Sequence, residues 1–190
     1  MTGVNDQGTT ALLERQTIVD PRGRTRIAGG VAVQELTGLK GKRLAIVTQG
    51  EWRSWLFFRD RLEAHLSGPG QDIDHRRWQD ERPYKPERYD EIAQSADAAV
   101  IGLGNCGSCT ATVAMAAAEL ASRGLPTLVV VTAGFETLAA QTLKFKGQGD
   151  VPLLVLPAAY EVMTEDELVR IADERVPEVE LGLVRAVQPA

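Results

Sequence analysis

The sequence predicts an α/β fold: a doubly wound, mostly parallel sheet in a flavodoxin-like three-layer sandwich. Three observations carry this. Short apolar runs recur at Leu44–Thr48, Asp97–Leu103, Thr127–Val131 and Val151–Leu156. Segments of helical length separate them. The runs are apolar throughout rather than alternating, as expected of strands buried on both faces of a parallel sheet.

Each element has its own signal. Residues 1–40 read as an N-terminal arm, with Asp-Pro and Arg-Gly turn signals in Ile18–Arg26. Residues 41–190 read as a single α/β domain. After the Leu44–Thr48 strand, Trp52, Trp55, Leu56, Arg59, Leu62 and Leu66 recur at helical spacing. SGPGQ ends that helix. Asp72–Trp78 suggests a short polar strand, and a helix is expected from about Glu87. The Asp97–Leu103 strand leads through a GNCGSC loop to an alanine-rich helix over Thr110–Arg123. Gly124 closes that helix as a C-cap glycine. Thr127–Val131 is the next strand, then a loop and helix in TAGFETLAAQTLKFKG, then the Val151–Leu156 strand. The last helix begins at Thr164, with Glu167 three residues on in a capping-box pattern.

Composition narrows the function. The chain has 190 residues, 44% of them hydrophobic and 25% charged, enough for a core without staples. A net charge of -5 argues against a nucleic-acid or anionic-membrane surface. No apolar run is long enough to span a bilayer, and no signal-peptide pattern is present, so a cytoplasmic location is expected. Two cysteines do not make a disulfide scaffold. A structural zinc site needs about four ligands. Here there are two cysteines and two distant histidines, His65 and His75, so no metal is expected unless two chains pool their thiolates.

Both cysteines, Cys106 and Cys109, lie between a buried strand and a helix. Open α/β sheets bind ligands beyond the carboxyl ends of their strands, where this loop falls. A thiolate at a helix N-terminus is stabilised by the dipole and by free N–H groups. Two thiols at this spacing can attack and then resolve a mixed disulfide. Gly104 and Gly107 allow close backbone approach, while Asn105, Ser108 and Thr110 can offer hydrogen bonds to a thiolate or a bound carboxylate. The bland alternative is two small residues in a tight turn. Gly102–Gly107 also fits G-x-G-x-x-G, but the first β-α unit lacks that fingerprint and no acidic residue closes the next strand, so no dinucleotide cofactor is expected. Gln49, Arg53, Thr132, Phe135 and Tyr160 fall at the same sheet edge and complete a candidate substrate site. Arg53 could clamp a carboxylate, Thr132 could donate to an anion, and Tyr160 could act as an acid or donor, although a packing role suits Tyr160 better. Arg76 and Arg77, in a charged stretch, could reach a neighbouring chain.

The run from Gly102 to Thr110 reads G-x-G-x-C-G-S-C-T. An alanine-rich helix, Arg123-Gly-Leu-Pro-Thr127 and a strand ending Thr132-x-x-Phe135 follow it. This pattern resembles the UGSC family, named for a selenocysteine-Gly-Ser-Cys motif, from about Ile18 to Tyr160. Cys106 matches the selenocysteine position, which implies a reactive nucleophile or redox atom there. The topology is also similar to one lobe of the aspartate/glutamate racemase group, where a cysteine acts as acid or base. Two stretches depart from the family pattern. Pro157-Ala158-Ala159 stands where members often carry Pro-His-Pro, and Thr132-Ala133-Gly134-Phe135 where they carry Thr-Glu-x-Phe. The resemblance implies a thiol-dependent enzyme acting on a small organic molecule, with redox chemistry favoured. Acid/base or addition–elimination chemistry is the alternative. So is a non-catalytic subunit whose partner chain holds the base. A homo-oligomer, or a hetero-oligomer with a related chain, is expected.

Overall fold

The computed structural model describes residues 36–50, 52–79 and 85–185. The expected arm lies largely outside them. Leu36 and Leu39, its last apolar residues, are buried in the core. Five strands form one sheet: β1 (Arg43–Thr48), β2 (Asp74–Gln79), β3 (Ala98–Gly104), β4 (Thr127–Thr132) and β5 (Leu153–Leu156). All pairings are parallel, in the order β2-β1-β3-β4-β5. This is the flavodoxin-like order, which reverses direction between β1 and β3.

Successive residues of a strand point to opposite faces, so each strand feeds two cores. Leu44, Ile46, Val100 and Val130 join a cluster with Trp55, Phe58 and Leu62 of α1 (Arg53–Leu66). Leu168 and Ala172 of α5 (Glu165–Arg175) and Leu183 of α6 (Pro177–Arg185) complete that layer. Ala45, Val47, Ala99, Ile101 and Val129 face the other side. There they meet Tyr89 and Ile92 of α2 (Pro86–Ser95), Val113, Ala117 and Leu120 of α3 (Gly107–Ala121), and Leu143 of α4 (Glu136–Phe145).

The polar strand β2 is polar because it is an edge. Only Trp78 of its six residues is buried, and Arg76 and Arg88 lie over that indole at 4.2 and 4.5 Å. Arg77 pairs with Glu63 and Asp60 of α1. Arg76 and Arg77, which could reach a neighbouring chain, also make contacts within this one. The C-terminal helix is two helices, broken at Val176-Pro177, because a proline ring removes a helical donor. Its start is as expected. The Thr164 hydroxyl accepts from Glu167 N, and the Glu167 carboxylate accepts from Thr164 N at 2.9 Å. Thr164→Ala should cost about 1 kcal/mol, read as a fall of roughly 2–4 °C in Tm. An unchanged melting curve would show that the cap contributes nothing.

Candidate functional site

The site is built where the sheet order reverses. The carboxyl ends of β1 and β3 stay paired there, with Gln49 N donating to Gly102 O at 2.8 Å. The peptide between Gly102 and Leu103 is cis. At Gly104 a side chain is sterically excluded: a Cβ would sit 2.9 Å from both Thr110 Oγ1 and Val131 Cγ1. The end of β3 therefore packs directly on the first turn of α3. Asn105 follows, its Oδ1 accepting from Thr132 Oγ1 at 3.1 Å, which ties the loop to the end of β4.

Helix α3 begins at Gly107, three residues before the expected start. Cys106 is its N-cap, in extended conformation, and its Sγ accepts from Cys109 N at 3.3 Å. The sulfur does for the helix what a serine oxygen usually does. The GNCGSC segment is therefore a cap and a first turn rather than a free loop, with both thiols on one turn. Both are free and partly exposed. Ser108 Oγ lies 3.5 Å from Cys106 Sγ. The Cys109 thiol and the Ser108 hydroxyl, helped by two backbone amides, hold Cys106 below the ordinary cysteine value. Burial and the neighbouring Cys106 push Cys109 above it, and a hydrogen bond from the Trp52 side chain works the other way. One thiol is an easy anion and the other a reluctant one.

The other expected site residues divide. Asn105, Gly107 and Ser108 lie beside the thiols, with Gly107 and Ser108 exposed. Gln49 is buried at the end of β1, and Phe135 is half-buried in a short 3-10 turn after β4. Thr132 is fully buried and committed to Asn105, so it is a brace for the loop and not an anion donor. Thr110 is fully buried, with its hydroxyl against the end of β3, so it does not reach the thiolate. Tyr160 is a packing residue: it is fully buried, and its hydroxyl donates to Leu168 O at 3.0 Å. Burial pushes its phenol far above the range of a useful acid. Arg53 donates to Met163 O at 3.1 Å, pairs with Glu165 at 3.4 Å and stacks on Phe57. It clamps α1 to the segment before α5, and its guanidinium is not held for a substrate carboxylate.

Trp52, at the ligand edge, is the N-cap of α1. One residue escaped the sequence reading. Glu161 places its carboxylate on the N-terminus of α1, accepting from Arg53 N at 3.2 Å and Ser54 N at 3.0 Å and from the Ser54 hydroxyl. No sequence signal marks Glu161, which is 107 residues from Ser54. A groove of about 610 Å³ lined by Phe57, Val169, Arg170 and four carboxylates of α5 contains neither cysteine. Among the described residues no group of three or more His, Cys, Asp or Glu is placed to hold a metal ion, and no helix is long and apolar enough to cross a membrane.

The model of one family, the UGSC family, matches residues 17–185. The chain belongs to the UGSC family. In the UGSC motif of this chain Cys106 is the helix cap and Cys109 the third helical residue. No curated protein matches. Among solved structures, this UGSC chain is similar to a mutant flavo di-iron protein from Thermotoga maritima, at 14% identity and a TM-score of 0.45 over 73% of this chain and 35% of that one. It is also similar to CapF bound to the inhibitor 3-isopropenyl-tropolone, at 18% identity and a TM-score of 0.37 over 60% and 29%. The chain spans about a third of the length of these structures.

Proposed function

We propose that this UGSC chain is a thiol-dependent oxidoreductase acting on a small organic molecule, a disulfide in the simplest case. The observation that supports it most is the asymmetry of two thiols on one helical turn at the ligand edge of the sheet. Cys106, the more acidic of the two thiols, attacks as the thiolate. It forms a bond to one substrate sulfur, and the other sulfur leaves as a thiolate. Cys109 then attacks Cys106 Sγ, closes the Cys106–Cys109 disulfide and expels the second substrate thiolate. Two electrons pass to the substrate, and two equivalents of a cellular thiol return the pair to the dithiol, leaving as their own disulfide. Asn105, Gly107, Ser108, Gln49 and Phe135 are the residues available to contact the substrate. No cofactor is needed, and a cytoplasmic, reducing location suits a resting dithiol. Acid/base chemistry of the racemase kind is less well supported, since it needs groups on opposite faces of a carbon and these thiols share one face.

Alkylation with iodoacetamide across pH 5–9, with peptide mapping, tests the reading. Cys106 should label at a pH well below the ordinary cysteine value of about 8.5, and Cys109 only above it. Equal labelling of both thiols, or none before denaturation, would refute the assignment. One observation favours a second reading. Among the described residues, the groups that act on the two sulfurs are backbone amides, Ser108, Trp52 and the thiols themselves, with no carboxylate or imidazole. A partner chain bearing the missing base would then complete a hetero-oligomeric enzyme. Turnover by the purified chain alone would exclude that.

A further inference from the structure

Asn105 stands between the end of β3 and the Cys106 cap. Among the described residues its side chain makes a single hydrogen bond, with Oδ1 accepting from Thr132 Oγ1 at 3.1 Å. Thr132 is fully buried at the end of β4, and that Oδ1 is the one acceptor its hydroxyl has among the described residues. A buried hydroxyl that donates to nothing is costly, so the amide is held with its oxygen inward. Nδ2 is then the free end. The buried side-chain atoms without a partner, among the described residues, are Thr110 Oγ1 and Arg175 Nε. Asn105 is half-buried and its Nδ2 is not among them, so this N–H2 group is open to solvent. The backbone on either side is fixed. Gly104 packs on Thr110 and Val131, and Cys106 O accepts the α3 bond from Thr110 N at 2.9 Å. The Ser108 hydroxyl, 3.5 Å from Cys106 Sγ, already serves the sulfur. Asn105 thus presents an uncommitted donor between the carboxyl ends of β3 and β4, where a parallel sheet takes its ligands.

We propose that Asn105 is a specificity-determining residue, its Nδ2–H2 group, aimed by Thr132, donating to an oxygen acceptor of the substrate. This rests on the redox reading and adds to it the class of disulfide the site takes. Asn105 and Cys106 are consecutive, with Cα atoms about 3.8 Å apart. The acceptor, a carbonyl or a carboxylate, therefore belongs within a few bonds of the sulfur that Cys106 attacks. An amide nitrogen offers hydrogens and no charge, so it favours acceptor-bearing disulfides over alkyl ones. The exchange itself is unchanged: Cys106 Sγ bonds to one sulfur, and the other leaves as a thiolate.

The test uses the whole reduced chain and three probes: diethyl disulfide, dithiodiglycolamide and dithiodiglycolate. Loss of the free Cys106 thiol is followed by acid quench and peptide mapping. The quantity read is the rate with an acceptor probe over the rate with diethyl disulfide, divided by the same ratio for free glutathione. That division removes the probes' own reactivity. The parent should prefer an acceptor probe by about tenfold. Preference for the amide or for the carboxylate supports the proposal and names the acceptor. Asn105→Asp still offers Thr132 an acceptor but has lost the donor, so its preference for the neutral amide probe should vanish. Thr132→Val frees the amide to turn and should lose part of the preference. A merely structural role would slow all probes alike and leave the ratio unmoved. Asn105→Asp carries the test if Thr132→Val melts well below the parent. No preference in the parent, or the parental ratio in Asn105→Asp, overturns the proposal and leaves the redox reading intact. Failure of all three probes to react at Cys106 of the parent overturns the redox reading, and the proposal with it.

Discussion

Cys106→Ser should abolish thiol–disulfide exchange, a loss of at least about a thousandfold, without weakening the fold. Serine is among the best N-cap residues, and its oxygen can accept the Cys109 amide that the sulfur now accepts. The variant thus separates two roles of one position. Cys109→Ser should give the opposite result: attack by Cys106 proceeds, and the mixed disulfide accumulates because nothing resolves it. Stopped-flow exchange with a chromogenic disulfide, followed by intact-mass analysis, distinguishes the two. Exchange that survives Cys106→Ser but is lost in Cys109→Ser would reverse the roles. The parent should also carry a pH-dependent stability that the serine variant lacks. The folded-state value of Cys106 lies below its unfolded value. Its contribution is therefore full above the unfolded value of about 8.5 and fades as pH falls through the lowered one.

Gly102→Ala should be among the most damaging single substitutions in the fold, costing about 3 kcal/mol and roughly 6–12 °C in Tm. An added Cβ would lie 2.4 Å from Trp55 Cζ3 and 2.5 Å from Cε3. The ring cannot retreat. It is fully buried, its Nε1 donates to Thr48 Oγ1 at 3.0 Å, and it stacks on Phe58 with centroids 5.8 Å apart. The overlap also falls two residues before Gly104, so a distorted β3 would misplace the cysteine turn. Gly107→Ala is the matched control. No atom lies within 4 Å of its would-be Cβ, and a stability change within about 0.5 kcal/mol is expected. Similar melting temperatures for the two variants would show that the contact of Trp55 with β3 is not a constraint.

Much of the architecture is local information, and local information is legible. Ala98–Gly104 and Thr127–Thr132 are buried at every residue, and an unbroken apolar run announces that. The Thr164–Glu167 box is a contact between residues three apart, so its pattern is written in consecutive letters. The thiol pair was legible for the same reason, since Cys106 and Cys109 meet across a single turn. The start of α3 was misread because Gly-Ser-Cys is a poor helix former. Propensity placed the boundary at Thr110, but the Cys106 cap and the packing of Gly104 on Thr110 pull the helix back to Gly107.

The sequence by itself determined the fold class, the family and the turn that carries both cysteines. Each depends on periodicity or on residues a few positions apart. Only the tertiary structure decided which neighbours serve that turn. It committed Arg53, Thr132 and Tyr160 to structural duties and set Glu161 on the first turn of α1. Apart from the Tyr160–Leu168 bond, those contacts join residues 27 to 112 positions apart through the parallel crossovers of the sheet. A pair so separated leaves no period and no spacing in the sequence. Its partners are chosen by which strand ends the closed core brings side by side.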